Sequence, residues 1–484
     1  MLFINRNLHY FEKKELFSTL SKNVCYFQKI FKDDAMFRVR FIEKKGCLLF
    51  MDGMVNNQLI TEAIVKPLIL NETEEKIFAN EVTKTKNVKE MLSALLYGDS
   101  VLLLENSKTA LVLGTKGWRT RGISEPQNEQ IAEGPREGFD EAVMFNAAML
   151  RRKIATPDLC IKSVNIGRKT DTKVFVFYLH SLVNKKTLQK VLCQLKKIDI
   201  DAVLDTNYLN ELINPNRFSL FKTAGSTERP DIVAARILEG RIAVMADGSP
   251  VALTIPYIYC ENFQSDEDYY TNYTVAVIGR VIRYFCFWLS ITLPALYITL
   301  INYHPEFLPL RLLCAISFSR ASVPFSSFFE MFLLVFVFEV LKETGARMLQ
   351  NQGGALSIVG GLVIGQAAVE AKFVSAPAVI IGALCAVAGI CVPRLRGAVF
   401  YFKLLFLALS SFFGLFGFFV GVTVFYVHLF TLKSFGVYYT APSLIFKNQS
   451  VKDTFWRAPF FEMFTRPPYF TKNQTRFKYV NKKR

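Results

Sequence analysis

Residues 95–113, LLYGDSVLLLENSKTALVL, align without a gap on residues 237–255, ILEGRIAVMADGSPVALTI. Gly98 falls on Gly240, and each copy shows a helix end, a glycine, an apolar strand, a polar turn and a second apolar strand. A helix followed by a short strand hairpin has this pattern. The match predicts that the first part of the chain repeats one structural unit, with chance similarity of two amphipathic patterns as the alternative.

The similarity extends upstream. MVNNQLITEAIVKPL from Met54 and LVNKKTLQKVLCQL from Leu182 share their helical spacing of apolar residues. The chain is therefore expected to hold two related α/β subdomains, at 35–125 and 165–270, with an N-terminal extension at 1–34 and a helical connector at 126–164.

The connector contains GPREGF from Gly134, which suggests a tight polar turn. Arg136 and Glu137 in this turn are candidates to pair across subunits. The alternative is a helix-capping loop, and the spacing alone favours that alternative.

The region 271–432 is apolar and is expected to form an all-α polytopic transmembrane domain. Four apolar runs predict five spans, at 275–301, 325–341, 353–393 and 400–432. The run at 353–393 is broken around 371–377 and supplies two spans, whereas 400–432 is expected to be one long helix. Arg280 and Arg283, near the start of the first run, can reach the interface. Leu308–Phe318 is short and charged, so it is either a re-entrant or interfacial piece or half of a sixth span.

Charge indicates the orientation of these spans. The net charge is +17, and Lys447 to Arg484 contains ten Lys or Arg and two acids. Such a basic tail (433–484) suits the anionic cytoplasmic leaflet, with a merely soluble tail as the alternative. The first residues lack the apolar core of a signal peptide, so the α/β region is also expected on that side, which needs an even number of spans. A sixth span that includes Leu308–Phe318 would give an even number, and the alternative route is that one of the five spans is re-entrant.

Other function classes are disfavoured. No nucleic-acid-binding motif accompanies the positive charge. The four histidines lie near no plausible nucleophile, and no catalytic, phosphate-binding or metal-binding spacing occurs. We expect no enzyme activity and no cofactor or metal.

Acidic residues interrupt the apolar run at 325–341, and a further acidic residue follows just beyond its end. Glu330 and Glu339 lie nine positions apart, on opposite helix faces, and Glu339 shares its face with Glu343. A carboxylate at membrane depth attracts cations or pairs with a base such as Arg347. Glu343 and Arg347 are candidates for inter-subunit or coupling contacts. The alternative is that Glu339, Lys342, Glu343 and Arg347 form an interfacial helix end.

The stretch GGALSIVGGLVIGQAAVEA from Gly353 places small residues on nearly every helical turn, so that helices can approach closely. A ring of several subunits would present part of this helix (355–370) to a pore, with Glu330 and Glu339 near its mouths. Packing without conduction is the alternative. The pore candidates here are Ser357, Gly361, Ile364, Gly365 and Gln366, and Glu370 is a coupling candidate.

Several of these stretches occur together in one family. GPREGF from Gly134, LRRKIATPDL from Leu150, TERPDIVAARILEGRIAVMADGSP from Thr227, SIVGGLVIGQAAVEA from Ser357 and KDTFWRAPFFEMFTRPP from Lys452 stand in the same order. The chain resembles the A subunit of the spore germination receptors, the GerA family.

The resemblance implies a protein of the spore inner membrane whose soluble region faces the core. It implies partners, namely a transporter-like B subunit and a lipoprotein C subunit, and an indirect response to an amino acid, sugar or nucleoside. It also implies a homo-oligomer, a pentamer, that forms a germinant-gated cation channel. A non-conducting scaffold and an auxiliary germination channel are the alternatives. A secondary transporter is disfavoured because the spans show no inverted repeat.

Overall fold

The structure is a computed structural model, and it describes residues 15–42, 46–69, 81–105, 107–117, 125–126, 129, 133–216, 219–347, 361, 363, 365–441, 452–473 and 475–476. Its first part contains two five-stranded antiparallel sheets, of order β1-β2-β4-β5-β3 and β6-β7-β9-β10-β8. The strands of the first sheet are β1 Phe37–Ile42, β2 Gly46–Met51, β3 Val82–Thr85, β4 Ser100–Leu104 and β5 Ala110–Leu113. Those of the second are β6 Leu159–Ile166, β7 Thr172–Leu179, β8 Gly225–Thr227, β9 Ile242–Ala246 and β10 Ala252–Ile255.

The helices follow the same repeat. They are α1 Leu20–Ile30, α2 at 57–69 with a π-helical stretch at Ile60–Val65, α3 Val88–Tyr97, α4 Val143–Lys153, α5 Lys185–Lys196, α6 Thr206–Ile213 and α7 Pro230–Leu238. In each copy a helix precedes the third strand and another precedes the fourth. The two sheets therefore have one topology, as the aligned stretches predict, and β6 lies in the segment expected to be the connector.

Equivalent glycines make equivalent contacts in the two copies. Gly98 follows α3 with φ +97°, and Gly240 follows α7 with φ +94°. A Cβ atom would lie 3.0 Å from the Met54 carbonyl oxygen at the first site and 2.9 Å from that of Leu182 at the second. Both positions need a left-handed residue without a side chain, which explains why the glycine recurs in the sequence.

The sheets and helices stack in layers. Buried side chains of α1, α3, α4 and α7 form one core with the facing surfaces of both sheets. On the outer surfaces, α2 covers the first sheet, whereas α5 and α6 cover the second. A buried ion pair between Asp34 and Arg151 closes the contact between the two units.

The second part of the chain is a bundle of helices. Two of them, Tyr273–Asn302 and Pro393–Thr431, are long and apolar enough to cross a membrane by length and composition, and Ala376–Ile390 is a shorter apolar helix. We label the bundle helices α8 Tyr273–Asn302, α9 Leu310–Arg320, α10 Ser327–Arg347, α11 Ala376–Ile390 and α12 Arg396–Thr431. Residues 365–370 are also helical.

Helix α12 folds back on itself at Gly414, where φ is +58° and ψ is −135°. The rings of Phe402 and Phe425 lie 5.0 Å apart. Along a straight helix their 23 positions would separate them by about 34 Å. The expectation of one continuous helix over 400–432 is therefore wrong, since the segment is an antiparallel helical hairpin.

Gly414→Ala is expected to destabilise this hairpin by about 2 kcal/mol, because the backbone conformation is open mainly to glycine. The new Cβ would also lie 2.8 Å from Cγ of Tyr303. Thermal unfolding of the purified protein in detergent measures the effect. Gly397→Ala is the matched control, because its Cβ would meet no atom within 4 Å. Equal melting temperatures for the two variants would contradict the hairpin.

Contacts between helix ends define a sheet end and a far end of the bundle. Ser327 donates a hydrogen bond to Asn302, so α8 ends and α10 begins at the far end. Arg396 pairs with Glu343, so α10 ends and α12 begins at the sheet end. Ser375, just before α11, contacts Glu330 at the far end.

Five described segments, namely α8, α10, α11 and the two halves of α12, thus run between the two ends. The chain returns once more between the sheet end of α10 and the far end of α11, through a segment that is only partly described. Helix α9 has 11 residues and is about 16 Å long. It begins after the far end of α8 and returns there, where Arg320 contacts Ser327. The hairpin in α12 adds a pass through the bundle that the sequence did not indicate, whereas Leu308–Phe318 adds none. The even number of membrane spans stays a prediction.

The basic tail folds back onto the sheet end. Arg466 Nε donates to the Leu238 carbonyl oxygen (2.7 Å), and Arg476 pairs with Glu239 at 2.7 Å. Its described residues are therefore part of the folded structure.

Candidate functional site

Glu330 lies at the far end of the bundle and is fully buried. Its Oε1 atom accepts a hydrogen bond from the Ser375 backbone N–H at 2.5 Å, at the N-terminus of α11. Its Oε2 atom lies 3.6 Å from Nε of Arg320 in α9. A helix N-terminus and a guanidinium both favour a carboxylate, so Glu330 joins α9, α10 and α11.

The surroundings of Glu330 hold further polar groups. Arg320 donates to the Ser327 hydroxyl, which in turn donates to Oδ1 of Asn302 at 2.8 Å. The Tyr297 hydroxyl, the Ser375 hydroxyl and Oε2 of Glu330 are buried without a hydrogen-bond partner among the described residues. This far-end polar cluster (Tyr297, Asn302, Arg320, Ser327, Glu330 and Ser375) therefore keeps unused hydrogen-bonding capacity inside an apolar bundle.

Glu339 and Glu343 lie at the sheet end and share one cation. Arg396 Nε is 3.4 Å from Glu339 Oε1, and its Nη2 is 3.0 Å from Glu343 Oε2. Lys342 Nζ adds a contact of 3.7 Å to Glu339. The side chain of Arg347 lies outside the described residues. The pair thus binds the start of α12, at the opposite end of the bundle from Glu330.

The small-residue stretch packs against its own chain where it is described. A Cβ at Gly361 would lie 3.9 Å from Leu341 in α10, and one at Gly365 would lie 3.5 Å from Val379 in α11. Ser357 and Ile364 lie outside the described residues.

The opposite face of the same helix is exposed. Val363, Gln366 and Glu370 recur at helical spacing on this face. Gln366 Nε2 donates to Glu370 Oε1 at 3.0 Å. A single chain therefore presents a carboxylate and an amide on the outside of an apolar bundle.

Arg136 and Glu137 pair within the chain. Arg136 lies 3.4 Å from Glu125, and Glu137 lies 2.7 Å from Lys153. The Arg136–Glu125 pair is exposed and therefore weak, which leaves Arg136 available to a neighbouring subunit. Glu137 is half-buried between Arg152 and Lys153.

The junction between sheets and bundle is held by ion pairs that the sequence did not indicate. Arg280 is fully buried, and it binds Asp268 (2.8 Å) and Asp453 (2.6 Å). Arg283 binds the other oxygen of Asp268 at 2.5 Å. Arg280 joins the segment before α8 to the tail, and Arg283 binds Asp268 of the same segment. The expectation that both arginines reach a membrane interface stays a prediction. The acidic stretch SDEDYY just before an arginine-bearing helix was the available signal.

A second set of ion pairs lies on the sheet side of the junction. Glu261 binds Arg236 and Arg241, and Arg241 also binds Glu239 at 2.9 Å. Burial lowers the pKa of Arg236 to about 10, and the neighbouring charge of Arg241 acts in the same direction. Burial also raises the pKa of Glu129, which accepts hydrogen bonds from Thr227 and from the Glu228 backbone.

Two cavities flank these ion pairs. One, of about 460 Å³, lies between α7, the segment 258–270 and the tail. The other, of about 620 Å³, lies between β8, the loop 262–267 and the start of the α12 region at Pro393 and Arg394. The junction is therefore strongly bonded but incompletely filled.

An α/β region joined by buried ion pairs to a bundle with two candidate apolar spans indicates a membrane location. The chain matches the family described as Bacillus/Clostridium GerA spore germination protein over residues 23–469. It belongs to this family of germinant receptor A subunits, which confirms the resemblance found in the sequence.

Named relatives agree. Spore germination protein KA of Bacillus subtilis (strain 168) is 35% identical, over 88% of this chain and 80% of the relative. Spore germination protein B1 of the same strain is 33% identical, over 88% and 90%. One solved structure is also similar, the crystal structure of the N-terminal domain of the A subunit of the Bacillus megaterium spore germinant receptor GerK3. The sequence identity is 29% and the TM-score is 0.40, and the match covers 51% of this chain and 99% of that chain.

Proposed function

We propose that this chain is the A subunit of a nutrient germinant receptor, and that several copies, five by resemblance, form a cation channel in the spore inner membrane. A transporter-like B subunit and a lipoprotein C subunit are the proposed partners, and a small nutrient acts on the assembly. The role is a non-enzymatic one, in which opening of the channel starts germination.

The exposed Gln366–Glu370 pair is the observation that carries this proposal. A carboxylate facing lipid costs several kcal/mol, whereas one facing a water-filled lumen or a neighbouring subunit does not. A ring of chains with this face inward removes that cost. Ser357, Gly361 and Ile364 would continue the lining, with Glu330 near one mouth and Glu339 near the other.

The course of the chain supports the orientation. Six passes between the sheet end and the far end return the tail to the side of the α/β region. We place both on the core side, where a basic tail meets anionic lipid.

Currents through the purified full chain in planar bilayers test the channel. Glu370→Gln is expected to lower the cation-to-anion permeability ratio severalfold, because a ring of carboxylates selects cations. Glu211→Gln, an exposed carboxylate of α6, is the matched control and should conduct like the wild type. Unchanged selectivity in Glu370→Gln would exclude this face from the lumen.

A non-conducting scaffold is the second candidate, because Gly361 and Gly365 already pack against α10 and α11 of their own chain. Close packing alone explains such glycines. A folded oligomer that stays silent in the bilayer, with its partner subunits present, would favour the scaffold.

A further inference from the structure

We propose that residues 452–461 of the tail form an aromatic loop that anchors the chain in the headgroup layer of an anionic leaflet. This inference rests on the membrane placement of the bundle under the proposed function. It concerns a surface outside the candidate pore.

The aromatic loop exposes four large rings within seven residues. Phe455 is 53% exposed, Trp456 54%, Phe460 56% and Phe461 65%. Aromatic surface of this density is costly in water and marks a contact with a membrane or a protein.

The loop is held rigidly against the first turns of α8. Asp453 binds Arg280 at 2.6 Å and accepts a hydrogen bond from the Tyr269 hydroxyl at 2.8 Å. Arg457 Nη1 donates to the Thr271 carbonyl oxygen at 3.0 Å, and the Phe455 ring lies 4.7 Å from that of Tyr284. The position of the rings along α8 is therefore fixed.

That position corresponds to the membrane surface. Helix α8 has 30 residues and is about 45 Å long, whereas the hydrocarbon core is about 30 Å thick. About ten residues must therefore lie outside the core, and Arg280 and Arg283 place the excess at the sheet end. Tryptophan and other aromatic residues are favoured at this depth, where one side of the ring meets lipid and the other meets water.

Charge and surface continuity favour lipid over a second protein chain. Lys452 precedes the rings, in a tail with ten basic and two acidic residues from Lys447 onward. Anionic headgroups attract such a segment. On α8, Ile278 and Ile282 are 61% and 50% exposed, so the apolar surface of the bundle continues up to the loop.

Depth-dependent fluorescence quenching tests the anchor. The full chain, with Trp118 and Trp288 replaced by phenylalanine, keeps Trp456 as its reporter and is reconstituted in nanodiscs containing phosphatidylglycerol. Bromine atoms sit either near the headgroup or near the end of the lipid chains. Shallow bromines are expected to quench Trp456 about twofold more than deep ones, as for a residue in the interface. Asp453→Asn, which loosens the loop, should reduce this difference.

A second reporter separates this inference from the membrane placement. Phe419→Trp, in a chain whose three tryptophans are replaced, places the reporter on the exposed surface of the α12 hairpin. Quenching of this reporter without quenching of Trp456 would overturn the anchor and assign the rings to water or to a second copy. Absence of quenching at both positions would overturn the membrane placement itself.

Discussion

Arg280→Met is expected to reduce the free energy of unfolding by about 3–5 kcal/mol, because it breaks a buried ion-pair network and leaves Asp453 without its cation. Arg280 is fully buried and binds Asp268 and Asp453 at 2.8 and 2.6 Å. Arg283 still neutralises Asp268, so Asp453 suffers the larger loss. The tail should therefore detach from α8 before the sheets unfold.

Thermal unfolding of the purified chain measures the loss of stability, and limited proteolysis measures the detachment of the tail. Cleavage within 452–476 should accelerate at temperatures where the α/β region stays intact. Arg168→Met is the matched control, because Arg168 pairs with Asp199 on an exposed surface. Exposed pairs contribute little, so its melting temperature should not change.

A double variant identifies the partner. In Arg280→Met with Asp453→Asn, the carboxylate that lost its cation is neutral, so part of the lost stability should return. If the double variant instead lost the sum of both single effects, the two residues would be uncoupled and the proposed tail contact would be wrong.

Glu330→Gln is expected to cost about 2 kcal/mol of stability and to alter ion release from germinating spores. Glutamine keeps an acceptor for the Ser375 N–H but loses the charge that faces Arg320 at 3.6 Å. Arg320 is then left in the far-end polar cluster without a neutralising partner. Glu330→Ala should cost more, because it also leaves the start of α11 without its acceptor.

Potassium efflux from spores, normalised to the amount of assembled protein, measures the functional part. Glu306→Gln is the control, since Glu306 is an exposed carboxylate near the same end of the bundle that contacts only His304 among the described residues. We expect normal efflux in Glu306→Gln and altered efflux in Glu330→Gln. Equal efflux and stability in both variants would remove Glu330 from the mechanism.

Local pattern predicted the repeated α/β unit correctly. The alternation of apolar residues and the glycine after each helix are properties of neighbouring residues, and both sheets depend on them. Gly98 and Gly240 align in the sequence because a Cβ atom at either position would approach an equivalent backbone carbonyl oxygen, that of Met54 in the first copy and that of Leu182 in the second. The family could be recognised for a different reason, since its characteristic stretches follow one another in order along the connector, the second α/β subdomain, the bundle and the tail.

The path of the chain through the helical bundle could not be predicted from local sequence pattern. Apart from Ser410 and Ser411 the residues around Gly414 are apolar, so neither periodicity nor a strongly polar turn marked the place where α12 reverses. The reversal was visible only in contacts such as that between Phe402 and Phe425.

The sequence by itself determined the repeated helix, glycine and strand hairpin, the apolar segments and the family to which the chain belongs, because these depend on short-range pattern and composition. Only the tertiary structure decided that Glu330 binds Ser375 and Arg320, that Arg280 holds the tail through Asp453, 173 positions away, and that Gln366 and Glu370 face outward. Each of these depends on which distant side chain can neutralise or cover a group, and that is settled only when the helices pack.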